Sequence, residues 1–230
     1  MRPIPGVKIQ KAHEQSDTLR ILVTLSDVRV KIELSPVIRG TVFKAERMSV
    51  CELVEEEFGY AEMQVASYPD LYAGKICAAL DRQHPRDLFD VKQMFENEGF
   101  TNDLRKTFIV FLISHFRPMS ELLDPHRKDI RDIYANEFVQ MAEVDVPVEE
   151  LEKTREQLIS AIHQDMTADE KKFLISFKSK NPDWNLLGIE NQEEVASLPS
   201  VRWKMQNIIG MPEIKHVAAL QKLKKVLGFI

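Results

Sequence analysis

The chain has 230 residues, of which 44% are hydrophobic and 29% charged, and a formal net charge of −5. That length holds one large domain or two small ones, and the composition is that of a globular protein, which excludes a mainly disordered chain. The acidic balance excludes an all-over basic coat for nucleic acid, while a local basic patch stays open.

The start, Met1-Arg-Pro-Ile-Pro-Gly6, lacks the apolar run of a signal peptide. The longest apolar run, Phe108 to Ile113, is six residues, far short of a membrane span. Cys51 and Cys77 have no short-spaced partner and read as buried thiols in a reducing compartment, so the expected location is cytoplasmic.

Residues 1–66 read mostly as strands. Leu19, Ile21, Val23 and Leu25 alternate with other residues, and Val28, Val30, Ile32 and Leu34 alternate with Arg29, Lys31 and Glu33. The intervening Ser26-Asp27 makes this a hairpin. Ser49 is expected to cap a short helix running to Phe58 and stopped by Gly59, and Met63–Ala66 reads as a last strand.

From Ser67 the period becomes helical. Pro69 opens a segment to about Arg82, and Pro85 opens another to about Asn97, stopped by Gly99. Leu104–Phe116 is apolar all round and belongs in the middle of a core. Further helices are expected from Asp124-Pro125 (carrying Ile130, Ile133, Tyr134 and Phe138), from Pro147, after a Thr167/Glu170 capping box, from Pro199, and from about Glu213 to Gly228. Trp184 and Trp203 read as core aromatics. The expected fold is α+β, with a sheet domain over 1–66 and a helical domain over 67–230.

The stretch that could carry chemistry is Lys75-Ile-Cys-Ala-Ala-Leu-Asp-Arg82-Gln-His-Pro-Arg86-Asp87-Leu-Phe-Asp90. Seven helical positions fall about 20° short of two turns, so Lys75 and Arg82 share a face. Asp87 falls in the first turn of the next helix, where free backbone amides favour a carboxylate that can hold either cation. Two readings stay open: an interhelical salt-bridge network, or a fixed Lys and Arg presented to a polyphosphate. No histidine spacing suits a metal, and no nucleophile–base motif or Gly-rich phosphate loop stands out. Six Lys/Arg between Pro199 and the end oppose a single acid, Glu213; they suit either a solvated face or an RNA-guiding surface.

This Lys-x6-Arg-x3-Arg-Asp-x2-Asp block resembles the later motifs of the AbiEii/AbiGii toxin-like nucleotidyltransferase family. So do Val30-Lys-Ile-Glu33-Leu-Ser-Pro36-Val-Ile-Arg39-Gly40-Thr before it, and Asn181-Pro-Asp-Trp184 with Leu198-Pro-Ser-Val-Arg202-Trp203-Lys204 after it. The resemblance implies that Lys75 and Arg82 bind nucleotide phosphates and that Lys75, Asp87 and Glu33 are catalytic, with Glu33 near bound metal. By its strand face alone, shared with Arg29 and Lys31, Glu33 reads as part of a solvated polar surface.

The resemblance also implies Mg²⁺ and an NTP as cofactor and substrate, RNA as a candidate acceptor, and an antitoxin partner in a toxin–antitoxin or phage-defence pair in bacteria. The family's first motif, a Gly-Ser or Gly-Gly turn followed by Asp-x-Asp, has no match here. Gly40 and Gly59 lead to acids at the wrong spacing or without a second carboxylate. The expectation is therefore of an N-terminally truncated member with no bound cofactor, acting as an enzyme when that motif is supplied or as an inactive binding module. Its incomplete sheet would expose an apolar surface able to recruit a second copy.

Overall fold

A computed structural model describes residues 5–12, 19–34 and 40–230, with backbone alone for residues 11, 12, 19, 20, 33 and 34. The chain divides into two compact units, residues 1–39 and residues 40–230. In the first unit, β1 (Lys8–Ala12), β2 (Leu19–Leu25) and β3 (Val28–Leu34) form an antiparallel sheet in that order. The expected hairpin is present: Leu25 pairs with Val28 across Ser26-Asp27, and Ser26 takes the positive φ, 53°, of a tight hairpin turn. Ile9, Val23 and Val30 stand in one row across the sheet, with Ile21 opposite Ile32 beside them. Because side chains alternate, one face is apolar. Ile9, Val28 and Val30 are each more than half exposed, so the apolar face is left largely uncovered.

The second unit starts with a small hairpin-like pair, β4 (Glu46–Ser49) and β5 (Glu62–Val65), joined through α1 (Glu52–Phe58). Ser49 ends β4 and does not cap the helix; α1 begins behind Cys51 and stops at Gly59 as expected. Cys51 is exposed, against the sequence expectation, because α1 buries none of its residues.

Three helices make the centre: α2 (Tyr68–Asp81), α3 (Pro85–Glu96) and α4 (Asn102–Ser114). Ala73, Ile76, Cys77 and Leu80 of α2 are buried, as are Leu104, Phe108, Ile109, Leu112 and Ile113 of α4, and α2 lies against both α3 and α4. Around them come α5 (Met119–Leu123), α6 (Arg131–Glu137), α7 (Val148–Asp165), α8 (Ala168–Lys178), a 3-10 turn (Trp184–Leu186), α9 (Gln192–Ser197), α10 (Pro199–Ile209) and α11 (Glu213–Val226). Helix α7 packs on α3, α8 and α10 on α4, and α11 on α5 and α8. Two small antiparallel sheets and eleven α-helices among the described residues make the fold α+β.

Two expectations change here. The helix assigned from Asp124 starts only at Arg131. The preceding stretch is irregular because long-range side chains satisfy its backbone: Gln83 bonds His126 O and Lys128 N, and Arg155 donates to Lys128 O. Trp203 is 47% exposed, not core. Val201, Lys204 and Ile208 form the buried face of α10, and Trp203 points about 200° away from Val201.

Candidate functional site

Helix α2 is fixed at its start by Ser67, whose Oγ accepts from Asp70 N and donates to Asp70 Oδ2 at 2.7 Å. The Asp70 carboxylate, in a residue only 4% exposed, also accepts from Val42 N at 2.7 Å and Phe43 N at 3.0 Å. Asn191 Nδ2 donates to Val42 O from the opposite direction. Gly40 lies so close to the Leu198 side chain that an added Cβ would sit 2.5 Å from it, and its φ is +83°. Residues 40–43 are thereby clamped between the start of α2 and the 191–198 segment.

Helices α2 and α3 are joined by Arg82-Gln83-His84, with Gln83 at φ +55°. His84 caps α3 by accepting from Arg86 N through Nδ1. This short link lays the two helices side by side. Asp87, in the first turn of α3, receives a two-pronged bond from Arg82: Nη2 to Oδ1 at 2.6 Å and Nε to Oδ2 at 3.1 Å. The Arg82 side chain stays 65% exposed while Asp87 is at 12%, so the carboxylate steadies a guanidinium that still offers donors to solvent.

Lys75 donates to Asp90 Oδ2 at 2.6 Å, with both side chains about one-third exposed. Tyr72 lies one turn before Lys75. Burial pushes its phenol pKa up, Glu98 adds to this, Lys75 opposes it, and Asp90 raises it further. Tyr68 packs its ring against Tyr72 at a 45° tilt and donates to Gly99 O, and burial first and Glu98 next push its phenol up to about 12.

The sequence reading let Asp87 serve either cation, and in the structure it serves Arg82. Lys75 goes to Asp90, one turn further along α3. The sequence motif alone gives Asp90 no role. Its signal was the Asp-x2-Asp spacing, which puts two acids on neighbouring positions of one helix face opposite two cations on α2. The Glu33 side chain lies outside the described residues, as do Pro36 to Arg39 and any cleft shared by Glu33 and Lys75. The backbone of Glu33 pairs with Arg20, on the strand face that also carries Arg29 and Lys31.

The C-terminal matching stretch has packing roles. Asp183 caps the 3-10 turn, and Trp184 packs against Phe173 and Phe177.

Among the described residues of the block, Asp87 and Asp90 do not make a magnesium site. Asp87 and Asp90 each already hold a cation. A divalent ion in such chemistry needs converging oxygen ligands. No group of three His, Cys, Asp or Glu that could hold a metal occurs among the described residues. None of the described helices is long and apolar enough to cross a membrane.

No curated protein and no solved structure matches the chain. A family model described as the nucleotidyl transferase AbiEii toxin of type IV toxin–antitoxin systems matches residues 3–207. That span takes in the hairpin, the α2–α3 block and the Trp184–Lys204 stretch, and the chain belongs to the AbiEii nucleotidyl transferase toxin family.

Proposed function

We propose that the chain serves as the toxin component of a bacterial toxin–antitoxin or phage-defence pair and, when the family's first catalytic motif is supplied, transfers a nucleotide from an NTP to an acceptor such as RNA. The observation that carries this reading is the ladder of two cation–carboxylate pairs on the α2–α3 face. Lys75 and Arg82 are held in place by acids yet remain partly open to solvent, which suits the spread charge of a polyphosphate. In this reading Lys75 contacts the phosphates, Arg82 supports it, and Asp87 fixes Arg82. Glu33 is, in the same reading, the third acidic residue, near metal. Mg²⁺ would supply Lewis-acid stabilisation of the transferred phosphoryl group. Its ligands are not assembled by the described residues. Two thiols without a disulfide favour the cytoplasm.

Replacing Lys75 by Ala should weaken ATP or GTP binding about tenfold, or about 1.4 kcal/mol. Calorimetry showing equal affinity for wild type and Lys75→Ala would make Lys75 part of a structural ion pair instead.

A second reading is a non-catalytic interaction module. The uncovered apolar face of the first unit favours it, either bound to the antitoxin or closed on a second copy of the chain. Labelled NTP, Mg²⁺ and total RNA separate the two readings. Metal-dependent labelling of RNA that disappears in Glu33→Ala supports transfer. Absence of labelling with antitoxin binding intact supports the module.

A further inference from the structure

Lys75 and Arg82 each face a carboxylate. Two other cations of the second unit, Lys178 and Lys204, are only 8% exposed and have no carboxylate partner among the described residues. Lys178 closes α8 and Lys204 lies on the buried face of α10. Lys204 Nζ donates to His115 O and Arg117 O, just beyond α4. For Lys178 the recorded side-chain partner is the Met211 sulfur at 4.0 Å, a weak acceptor. The C-terminal end of α8 offsets part of its charge, but a helix dipole does not replace a hydrogen-bonded counter-ion.

Both lysines line one partly open cavity of about 240 Å³, together with Phe116, Trp203, Ser120 and Asn207. Burial lowers the pKa of both lysines. The charge of Lys178 lowers that of Lys204 further, and Lys180 does the same to Lys178. Two buried ammoniums that repel each other across an otherwise mostly apolar hollow are costly unless an anion joins them. An engineered apolar cavity of about 150 Å³ accepts a benzene molecule, so a hollow of about 240 Å³ has room for one ring and an anionic substituent.

We propose that this cavity binds a small aromatic anion, its carboxylate or phosphate group held by Lys178 and Lys204 and its ring held by Phe116 and Trp203. The ammonium hydrogens not engaged by His115 O and Arg117 O are the donors for the anion, and the exposed Trp203 forms one wall of the mouth. The site is separate from the α2–α3 face and does not depend on the transfer reaction proposed above.

The test uses the full chain, with phenyl phosphate and benzoate as probes and phenol as the uncharged control. The two tryptophans give two indole N–H signals by NMR. The Trp203 signal should move saturably with both anions, with a dissociation constant on the order of 1 mM or tighter, and the Trp184 signal should stay. Phenol should bind at least tenfold more weakly. Lys178→Met keeps the side-chain bulk, removes a buried charge and should fold at least as well as wild type. It should lose at least tenfold in affinity for the anions, and Lys178→Arg should retain most of it. Lys75→Ala should leave this binding unchanged. The proposal is overturned by no saturable Trp203 shift up to about 10 mM, by phenol binding as well as phenyl phosphate, or by undiminished affinity in a folded Lys178→Met protein.

Discussion

Burial holds the Lys204 ammonium pKa down to about 8 from its ordinary 10.5, and Lys178 pushes it the same way. The folded value lies below the unfolded one, so between about pH 8 and 10.5 the unfolded chain binds more protons than the folded chain. Stability contributed by this group therefore rises with pH across that window, and its destabilising effect is fully present below it. Tyr68 acts in the opposite direction higher up. Its folded value of about 12 exceeds the unfolded 10, so stability falls between those two values. The clean interval therefore lies between about pH 8 and 10. Thermal melts over that interval should show wild type gaining on Lys204→Met as pH rises, at about 2–4 °C per kcal/mol for a chain of this size. A difference between the two melts that does not change with pH would mean that Lys204 keeps its ordinary affinity for the proton. The sequence alone put Lys204 among the basic residues of a C-terminal surface. Its spacing from Val201 and Ile208 was the clue to burial, and Trp203, off that face, was misread for the same reason.

At the scale of elements, the start of α8 is the most tightly specified. Thr167 Oγ1 accepts from Glu170 N at 3.2 Å, and Glu170 Oε2 accepts from Thr167 N at 2.8 Å. Arg105 on α4 reaches both Glu170 oxygens, at 3.1 and 3.0 Å. Thr167→Ala removes one cap and should cost about 1 kcal/mol. Glu170→Ala also strands a largely buried guanidinium and should cost about 3 kcal/mol or more. Urea melts giving equal costs for the two variants would show that Arg105 does not depend on Glu170. The box was legible because it is local, as were the Leu19–Leu34 hairpin and the Pro-opened helices α2, α3 and α10. Elements set by distant groups were not. Strand β1 has one large apolar residue and is ordered by pairing with β2, and Gln83 and Arg155 hold the stretch before α6. The same divide runs through the candidate site. Arg82–Asp87 follows from a five-residue separation, whereas Lys75–Asp90 requires knowing how α2 lies along α3.

For the whole molecule, one unbalanced surface is the apolar face of the three-stranded sheet, with Ile9, Val28 and Val30 open to solvent. If that face closes on a second copy, light scattering at about 100 µM should give a dimer, and Val30→Lys should return a monomer by burying a charge in the contact. A wild-type protein that stays monomeric would rule out closure of this face on a second copy. The Asp70 clamp has a further, mechanical consequence. Tension applied at the N-terminus passes through the first 39 residues before it reaches Val42 and Phe43. The chain enters that sheet at Lys8, beside Thr24, and leaves it at Leu34, beside Leu19, so tension loads its strand pairs in shear, and their rupture should release roughly 130–140 Å of chain. The load then falls on two backbone bonds to one buried carboxylate, backed by Asn191 from the other direction. In an optical trap, Asp70→Asn should lower the second rupture force and leave the first unchanged. A cellular unfoldase threading the chain from this end would have to shear the sheet and then break the hold of Asp70 on Val42 and Phe43.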